Sequence, residues 1–343
     1  MSSEGRISAV LEKRVEDIPP IWLMRQAGRY LPEYRELRAK AGSFWTMCLT
    51  PELAAEITLQ PIRRFGFDVA ILFSDILTVP TALGIPVTFE AGEGPSLSPI
   101  TNGDGLVTDR GVWEKILSPA YAALARVKPE LPVGTALFGF AGAPWTLATY
   151  LAAGKGGDEQ KAAKLWGYRD PKSFDALLAL LAECVSFHLC RQLESGADAV
   201  QIFDSWASGL PEQAYARWVI APTKKIVADI RTKYPKAKII GFPRASTLAG
   251  YELYAREVGV DVLSLDTSVP MGWAAKFLSP HVGLQGNLDP LALVAGGDTL
   301  TEHVDQILDA MNAKPFIFNL GHGILQETPI AHVEQLIAQV RRA

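Results

Sequence analysis

Arg25 and Arg29 follow directly on an apolar run at 21–24, with Gly28 between them. A glycine there permits a tight backbone path, so both planar guanidinium forks can address one anionic ligand. The ordinary alternative pairs each arginine with its own surface carboxylate. Further along, most short apolar runs are followed by a side chain able to do chemistry. Ser74 and Asp75 follow one, and the turn at 142–145 leads from another to Tyr150. Asp204 with Ser205, then Arg244, Asp266, Asn287 with Asp289, and finally His322 follow the rest. Several have structural alternatives: Asp75 as the cap of a helix starting near Ile76, Tyr150 as a core tyrosine, Ser205 as a turn or cap residue. His322 lies between Gly321 and Gly323, which would let the backbone approach a ligand closely while the imidazole faces it. His188, His281, His303 and His332 fall on or beside helical stretches and read as structural or solvated. No H-x-x-x-H or H-E-x-x-H spacing occurs, so no metal site is expected.

Residues of this kind act together only if the fold gathers them. Eight short β-branched or apolar runs lie at 21–26, 68–74, 136–141, 199–203, 239–242, 262–265, 282–285 and 315–319. Amphipathic stretches at 51–65, 174–195, 211–233, 247–258, 301–311 and 328–342 lie between and after them. That alternation predicts a (β/α)8 TIM barrel, whose strand ends converge on one mouth. The main irregularity is 84–109, rich in Gly, Pro and Thr, where G-I-P-V-T-F-E predicts a hairpin arm inserted after the second strand. No linker divides the chain, so residues 1–343 are expected to form one domain. The glycine-rich turn at 154–157 lacks the G-x-x-x-x-G-K-[ST] spacing of a phosphate loop and reads as a mobile rim.

Composition narrows the classes. The 343 residues are 48% hydrophobic and 20% charged, a globular balance. A net charge of −4 offers no field for nucleic acid or an anionic membrane, so an anionic ligand must be drawn by local arginines. The N-terminus has no apolar signal core, and no stretch is expected to cross a bilayer. Cys48, Cys184 and Cys190 form no C-x-x-C pair and no even framework, as for reduced thiols of a cytoplasmic protein.

Two long motifs, I-W-L-M-R-Q-A-G-R-Y-L-P-E-Y-R at 21–35 and G-F-A-G-A-P-W-T-L-A-T-Y-L-A-A-G-K at 139–155, closely resemble the uroporphyrinogen decarboxylase family of haem biosynthesis. T-L-Q-P-I-R-R-F-G-F-D-V-A-I-L-F-S-D-I-L at 58–77, F-D-S-W-A at 203–207, Q-G-N-L-D-P at 285–290 and N-L-G-H-G-I at 319–324 extend the resemblance over nearly the whole chain. It implies a single barrel, a homodimer, and an enzyme needing no metal or organic cofactor. The implied reaction converts the four acetates of uroporphyrinogen III to methyl groups, giving coproporphyrinogen III. The implied binding residues are Arg25, Gln26, Ala27, Gly28, Arg29, Asp75, Tyr150, Ser205 and His322, with Arg38 a further partner for carboxylates. Asp75 would accept from pyrrole N–H groups and stabilise a ring cation, and Arg25 is a candidate proton donor despite being a very weak acid. The chain departs from the family pattern at Ser208 and Gly209, where glycine is expected directly after F-D-S-W-A, and at Thr267, where Trp is usual. Two rival readings are a zinc-dependent methylcobalamin methyltransferase of the same superfamily and a non-catalytic tetrapyrrole-binding protein. The first lacks cysteines at the expected fifth and eighth strand ends; the second shares its arginines with the enzyme and is separated only by turnover.

Overall fold

The computed structural model describes residues 5–90, 94–156 and 159–342. Its centre is a curled sheet of seven strands in the order β1, β4, β5, β6, β7, β8, β9, every neighbouring pair parallel. These are β1 (Val69–Ile71), β4 (Ala136–Gly142), β5 (Ala199–Asp204), β6 (Lys238–Pro243), β7 (Val262–Ser264), β8 (Gly283–Leu288) and β9 (Phe316–Leu320). β2 (Val87–Glu90) and β3 (Gly94–Leu97) form a separate antiparallel pair. Helices cover the outer face, so β5, β8 and β9 are buried along their full length. A strand covered on both faces is mostly apolar, and polar residues within these three, Gln201, Gln285, Asn287 and Asn319, are buried in hydrogen bonds to one another or to neighbouring backbone.

Seven of the eight expected strands are present, and the first is not. Only Ile21 forms a bridge, parallel to Phe318. The Trp22 N–H donates to the Phe318 carbonyl at 3.3 Å, the Phe318 N–H to Pro20 at 2.8 Å, and the Asp68 N–H to Ile21 at 3.0 Å. The segment therefore touches both β9 and the residue before β1, and then leaves the ladder. Side-chain amides take over: the Leu23 N–H donates to Gln26 Oε1 (3.1 Å), the Met24 N–H to Asn319 Oδ1 (2.9 Å), and Gln26 Nε2 to the Val69 carbonyl (2.8 Å). Those bonds satisfy the buried backbone without a strand, freeing the chain to turn at Met24 and Arg25.

The helices follow their sequence signals closely. Pro51–Phe65 begins with proline in its first turn and ends at Gly66, whose φ of 62° is left-handed. The single stretch expected at 211–233 is instead interrupted by a π-helical turn at Ala216–Ile220, just ahead of Pro222. A proline supplies no N–H to the preceding turn, which favours such a bulge. Trp218 in that turn stacks on Trp145 at 5.1 Å. A second correction concerns Pro171–Glu194, which by length and composition alone could cross a membrane, although no such stretch was expected. Here most of its apolar stretch is buried, with Phe174 packed edge-on against Trp145, Trp166 and Trp218.

The β2 and β3 pair docks through Phe89, whose ring lies 4.9 Å from Phe44 and 5.1 Å from Trp45, and through the Leu97 N–H, which donates to the Gly154 carbonyl at 2.8 Å. Residues 91–93 between the two strands, and Gly157 of the expected mobile rim, lie outside the described residues.

Candidate active site

Arg25 is exposed, and its backbone is left-handed, with φ of 62°. Non-glycine residues adopt that region at a cost, and such strain gathers at functional sites. The sequence reading gave Gly28 the task of bending the chain; the bend is made by Arg25 itself. Gly28 serves a different end, since a Cβ there would sit 3.2 Å from the Arg25 carbonyl oxygen. The glycines around His322 also act on neighbours. A Cβ on Gly323 would fall 2.3 Å from Arg25 Cδ, and one on Gly321 would fall 2.4 Å from the Thr267 nitrogen. They let the Arg25 side chain lie across the loop after β9 and let the loop after β7 close in beside it. Thr267, one of the departures from the family pattern, is therefore a neighbour of that loop.

Asp75 lies in the loop after β1, half-buried. Its Oδ1 accepts the Leu77 N–H at 2.8 Å, while the helix that follows, Thr78–Ala82, has no side-chain cap. Asp75 thus holds a local turn with one oxygen and does not cap that helix. Burial pushes its carboxyl up to about 6, against the Leu77 N–H and the charge of Arg25. Tyr150 projects from the helix Pro144–Ala153. Burial raises its phenol; a hydrogen bond from Trp206 and the charge of Arg25 oppose this, while Asp75 adds to it. The two rings meet edge to face at 6.2 Å. His322 is half-buried, and among the described residues its buried Nδ1 has no partner. Burial, then Arg244 and Arg25, push it down to about 4, so the ring is neutral near pH 7. Ser205 follows β5, and its carbonyl accepts from Arg244 Nη1 at 3.5 Å.

Arg25, Asp75, Tyr150, Ser205 and His322 are therefore brought to one end of the sheet. Phe140 of β4 and Phe203 of β5 cross edge to face at 5.6 Å there and offer an apolar surface beside the polar groups. Gln26 is turned away from this mouth: it is 1% exposed and its amide is committed to Leu23 and Val69. Ala27 packs half-buried against the core. Arg29 faces outward, into a broad groove of about 880 Å³ shared with Arg35 and Arg38. Arg35 Nη1 donates to the Arg29 and Tyr30 carbonyls at 2.8 and 3.1 Å, fixing the backbone from which Arg29 projects. Arg25 and Arg29, adjacent in the sequence motif, thus serve an inner and an outer position.

Asp204, named with Ser205 at its strand end, has a supporting role behind these groups that the sequence did not reveal. Asp204 is fully buried; its Oδ1 accepts from the Thr146 hydroxyl at 2.5 Å and the Thr146 N–H at 3.2 Å, while Oδ2 has no partner among the described residues. Burial pushes its carboxyl up to about 7. The same Thr146 hydroxyl accepts the Trp206 N–H (3.1 Å), and Trp145 Nε1 donates to the Trp206 carbonyl (2.8 Å). Trp206 is so clamped at both backbone groups, next to Tyr150. The only sequence signal was the aspartate and tryptophan flanking Ser205 at a strand end. The three cysteines are buried in helices, and among the described residues no three His, Cys, Asp or Glu side chains cluster as metal ligands.

The profile of the family described as Uroporphyrinogen decarboxylase (URO-D) matches residues 2–343. A uroporphyrinogen decarboxylase of Chelativorans sp. is 51% identical over 339 residues, covering 99% of this chain and 98% of that protein. One from Rhizorhabdus wittichii is 52% identical over 335 residues, 97% and 96% of the two chains. Among solved structures, a methyltransferase from Methanosarcina mazei superposes with a TM-score of 0.82 over 100% of this chain and 99% of its own. At 18% identity that likeness bears on the fold alone.

Proposed function

This chain belongs to the uroporphyrinogen decarboxylase family, and we propose that the mouth just described is where carbon dioxide leaves the acetate side chains of uroporphyrinogen. The protein is a decarboxylase of tetrapyrrole biosynthesis. One observation carries the assignment of the site: the Arg25 side chain lies across Gly323, next to His322 in the loop after β9, at the same end of the sheet as Asp75 after β1 and the Tyr150 helix after β4, although these come from parts of the chain far apart in sequence.

The chemistry asks for what these groups supply. Breaking the bond to a carboxylate leaves an electron pair, which a pyrrole protonated at a ring carbon can accept. Carbon dioxide departs, the new methylene carbon takes up a proton, the ring carbon gives back the proton it had taken, and the acetate becomes a methyl group with one proton consumed overall. Asp75 faces the ring N–H groups and, ionised, stabilises the cation more than the neutral ring, which is the condition for acceleration. Arg25 binds the reacting carboxylate or lends a proton, and Arg29 with Arg38 holds peripheral carboxylates. Neutral His322 and the Tyr150 hydroxyl complete the polar contacts, and Phe140 with Phe203 takes the apolar face of the macrocycle.

The whole chain, 1–343, is read as one (β/α)8 domain, supported by the hydrogen bonds that join 20–22 to both β9 and Asp68. The β2 and β3 pair is read as its inserted arm, supported by its bond to Gly154 near the Tyr150 helix. By likeness to its family the enzyme works as a cytoplasmic homodimer without added cofactor. The test is turnover of uroporphyrinogen by purified protein in chelator, with products separated by carboxyl number. A tetracarboxylic product is expected. Activity that vanishes with chelator and returns with zinc would restore the methyltransferase reading, and tight binding without carboxyl loss would restore the carrier.

A further inference from the structure

Arg244, at the end of β6, stands in the middle of the sheet order, away from the edge where Arg25 lies. Its backbone is tightly held. The Arg244 N–H donates to the carbonyls of Asp204 (3.0 Å) and Phe242 (3.1 Å). The next residue, Ala245, is left-handed with φ of 57° although it carries a Cβ. Its N–H donates to Asp266 Oδ2 at 2.5 Å. Asp266 is itself immobilised: Tyr251 donates to the same oxygen at 2.7 Å and the Ser268 N–H to Oδ1 at 2.7 Å. Burial opposes the charge of Asp266, but these hydrogen bonds outweigh it and hold the carboxyl below its usual range. A strained turn pinned by a buried carboxylate is what fixes the direction of one side chain.

That side chain reaches the mouth. Nη1 lies 3.5 Å from the Ser205 carbonyl, and the guanidinium acts on the His322 ring. It is half-buried and makes no ion pair among the described residues. Three other partly buried arginines are matched, Arg6 with Asp68, Arg191 with Glu114 and Glu194, and Arg231 with Asp261, whereas Arg38, on the outer groove, and Arg341 have no ion pair among the described residues. A desolvated fork left without an anion is costly unless a ligand supplies one.

We propose that Arg244 binds a peripheral carboxylate of the tetrapyrrole substrate, on a different side of the mouth from Arg25, as a specificity-determining anchor. The proposal rests on the decarboxylase reading of this site. An anchor remote from the reacting carbon contributes equally to ground and transition states, so its loss shows in KM and not in kcat.

The experiment is steady-state decarboxylation of uroporphyrinogen by wild type, Arg244→Gln and Arg244→Lys, each beside its melting temperature. Arg244→Gln is expected to raise KM about tenfold or more, with kcat within about threefold and melting unchanged; Arg244→Lys, which keeps the charge but lacks the fork, should recover part. A KM within twofold of wild type overturns the proposal. So does a fall in kcat at constant KM, or a loss that tracks melting temperature in both variants. Where Arg244→Gln does not fold, Arg244→Lys decides: a raised KM supports the anchor and a wild-type KM overturns it. Failure of the wild-type protein to decarboxylate uroporphyrinogen would instead bring down the reading beneath.

Discussion

Asp68, Asp198 and Asp261 stand immediately before β1, β5 and β7; Asp75, Asp204 and Asp266 stand at or beyond the other ends of the same strands. At the starts, each carboxylate does two jobs. Asp68 accepts the Ile21 N–H at 2.8 Å and pairs with Arg6 at 3.1 Å. Asp198 accepts the Leu137 N–H at 2.7 Å and pairs with Lys128. Asp261 accepts the Ile239 N–H at 2.8 Å and pairs with Arg231 at 3.1 Å. Each staples the start of the neighbouring segment to a helix-borne or terminal cation. At the far ends none of the three makes an ion pair among the described residues, and Asp75 and Asp204 are pushed up to about 6 and about 7 by burial. On β1 and β5 the same side chain is satisfied at one end and left in tension at the other; on β7 the far carboxylate, Asp266, is held by Ala245, Tyr251 and Ser268. Barrels keep stability at the strand starts and chemistry at the strand ends, and here the division falls along single strands.

The sharpest way to break this contrast is Asp75→Asn. It keeps the Leu77 turn, because an amide oxygen can still accept that N–H, but removes the negative charge. Single-turnover decarboxylation should fall about a hundredfold or more, on the order of 3 kcal/mol, with melting unchanged. Full activity would remove Asp75 from the mechanism and leave it a turn residue.

The opposite pattern is expected at the strand starts. Asp261→Ala strands the Ile239 N–H and the Arg231 guanidinium, so urea unfolding should show a loss of about 1–3 kcal/mol while kcat stays within about twofold. An equal loss of turnover in the folded protein would dissolve the distinction between the two ends.

Arg25→Ala and Arg29→Ala test whether the inner and outer arginines share one substrate. Each should weaken binding or turnover by at least tenfold, about 1.4 kcal/mol, with Arg29→Lys recovering only part. Normal kinetics in Arg29→Ala would mark the outer groove as separate from the reaction.

The last effect expected is in the pH dependence of stability and not in turnover. Asp204 has a folded value raised from the ordinary 3.8 to about 7, so its protonated form favours the folded state. That contribution is fully present below about pH 4 and is lost as pH rises through about 7. Asp204→Asn should flatten the decline in stability between pH 5 and 8 by about 2–3 kcal/mol. A variant with the same slope as wild type would show that Asp204 remains ionised throughout.

Much of this was readable from the chain alone. Seven strands are apolar runs that helices must cover, and their order along the chain fits parallel pairing. The polar residue after each strand has to appear at one edge of the sheet, which is why Asp75, Tyr150, Ser205 and His322 could be named together. The first strand could not be judged so, because Ile21 to Met24 is apolar enough for a ladder; the amides of Gln26 and Asn319, one of them nearly 300 residues away, take its hydrogen bonds.

What the sequence by itself determined is the alternation of elements, the family motifs, and the set of charged side chains delivered to the strand ends. Only the tertiary structure decided what each of those side chains meets. Arg25 and Arg29 share a motif but face inner and outer surfaces, because Arg25 turns left-handed and Arg35 holds the Arg29 backbone. Asp68 and Asp75 share a strand but differ in fate, because Arg6 reaches one and the closing loops bury the other. The physical reason is common to both. Charge, burial and hydrogen-bond satisfaction depend on neighbours that folding brings from distant parts of the chain, and local pattern carries no record of which neighbour arrives.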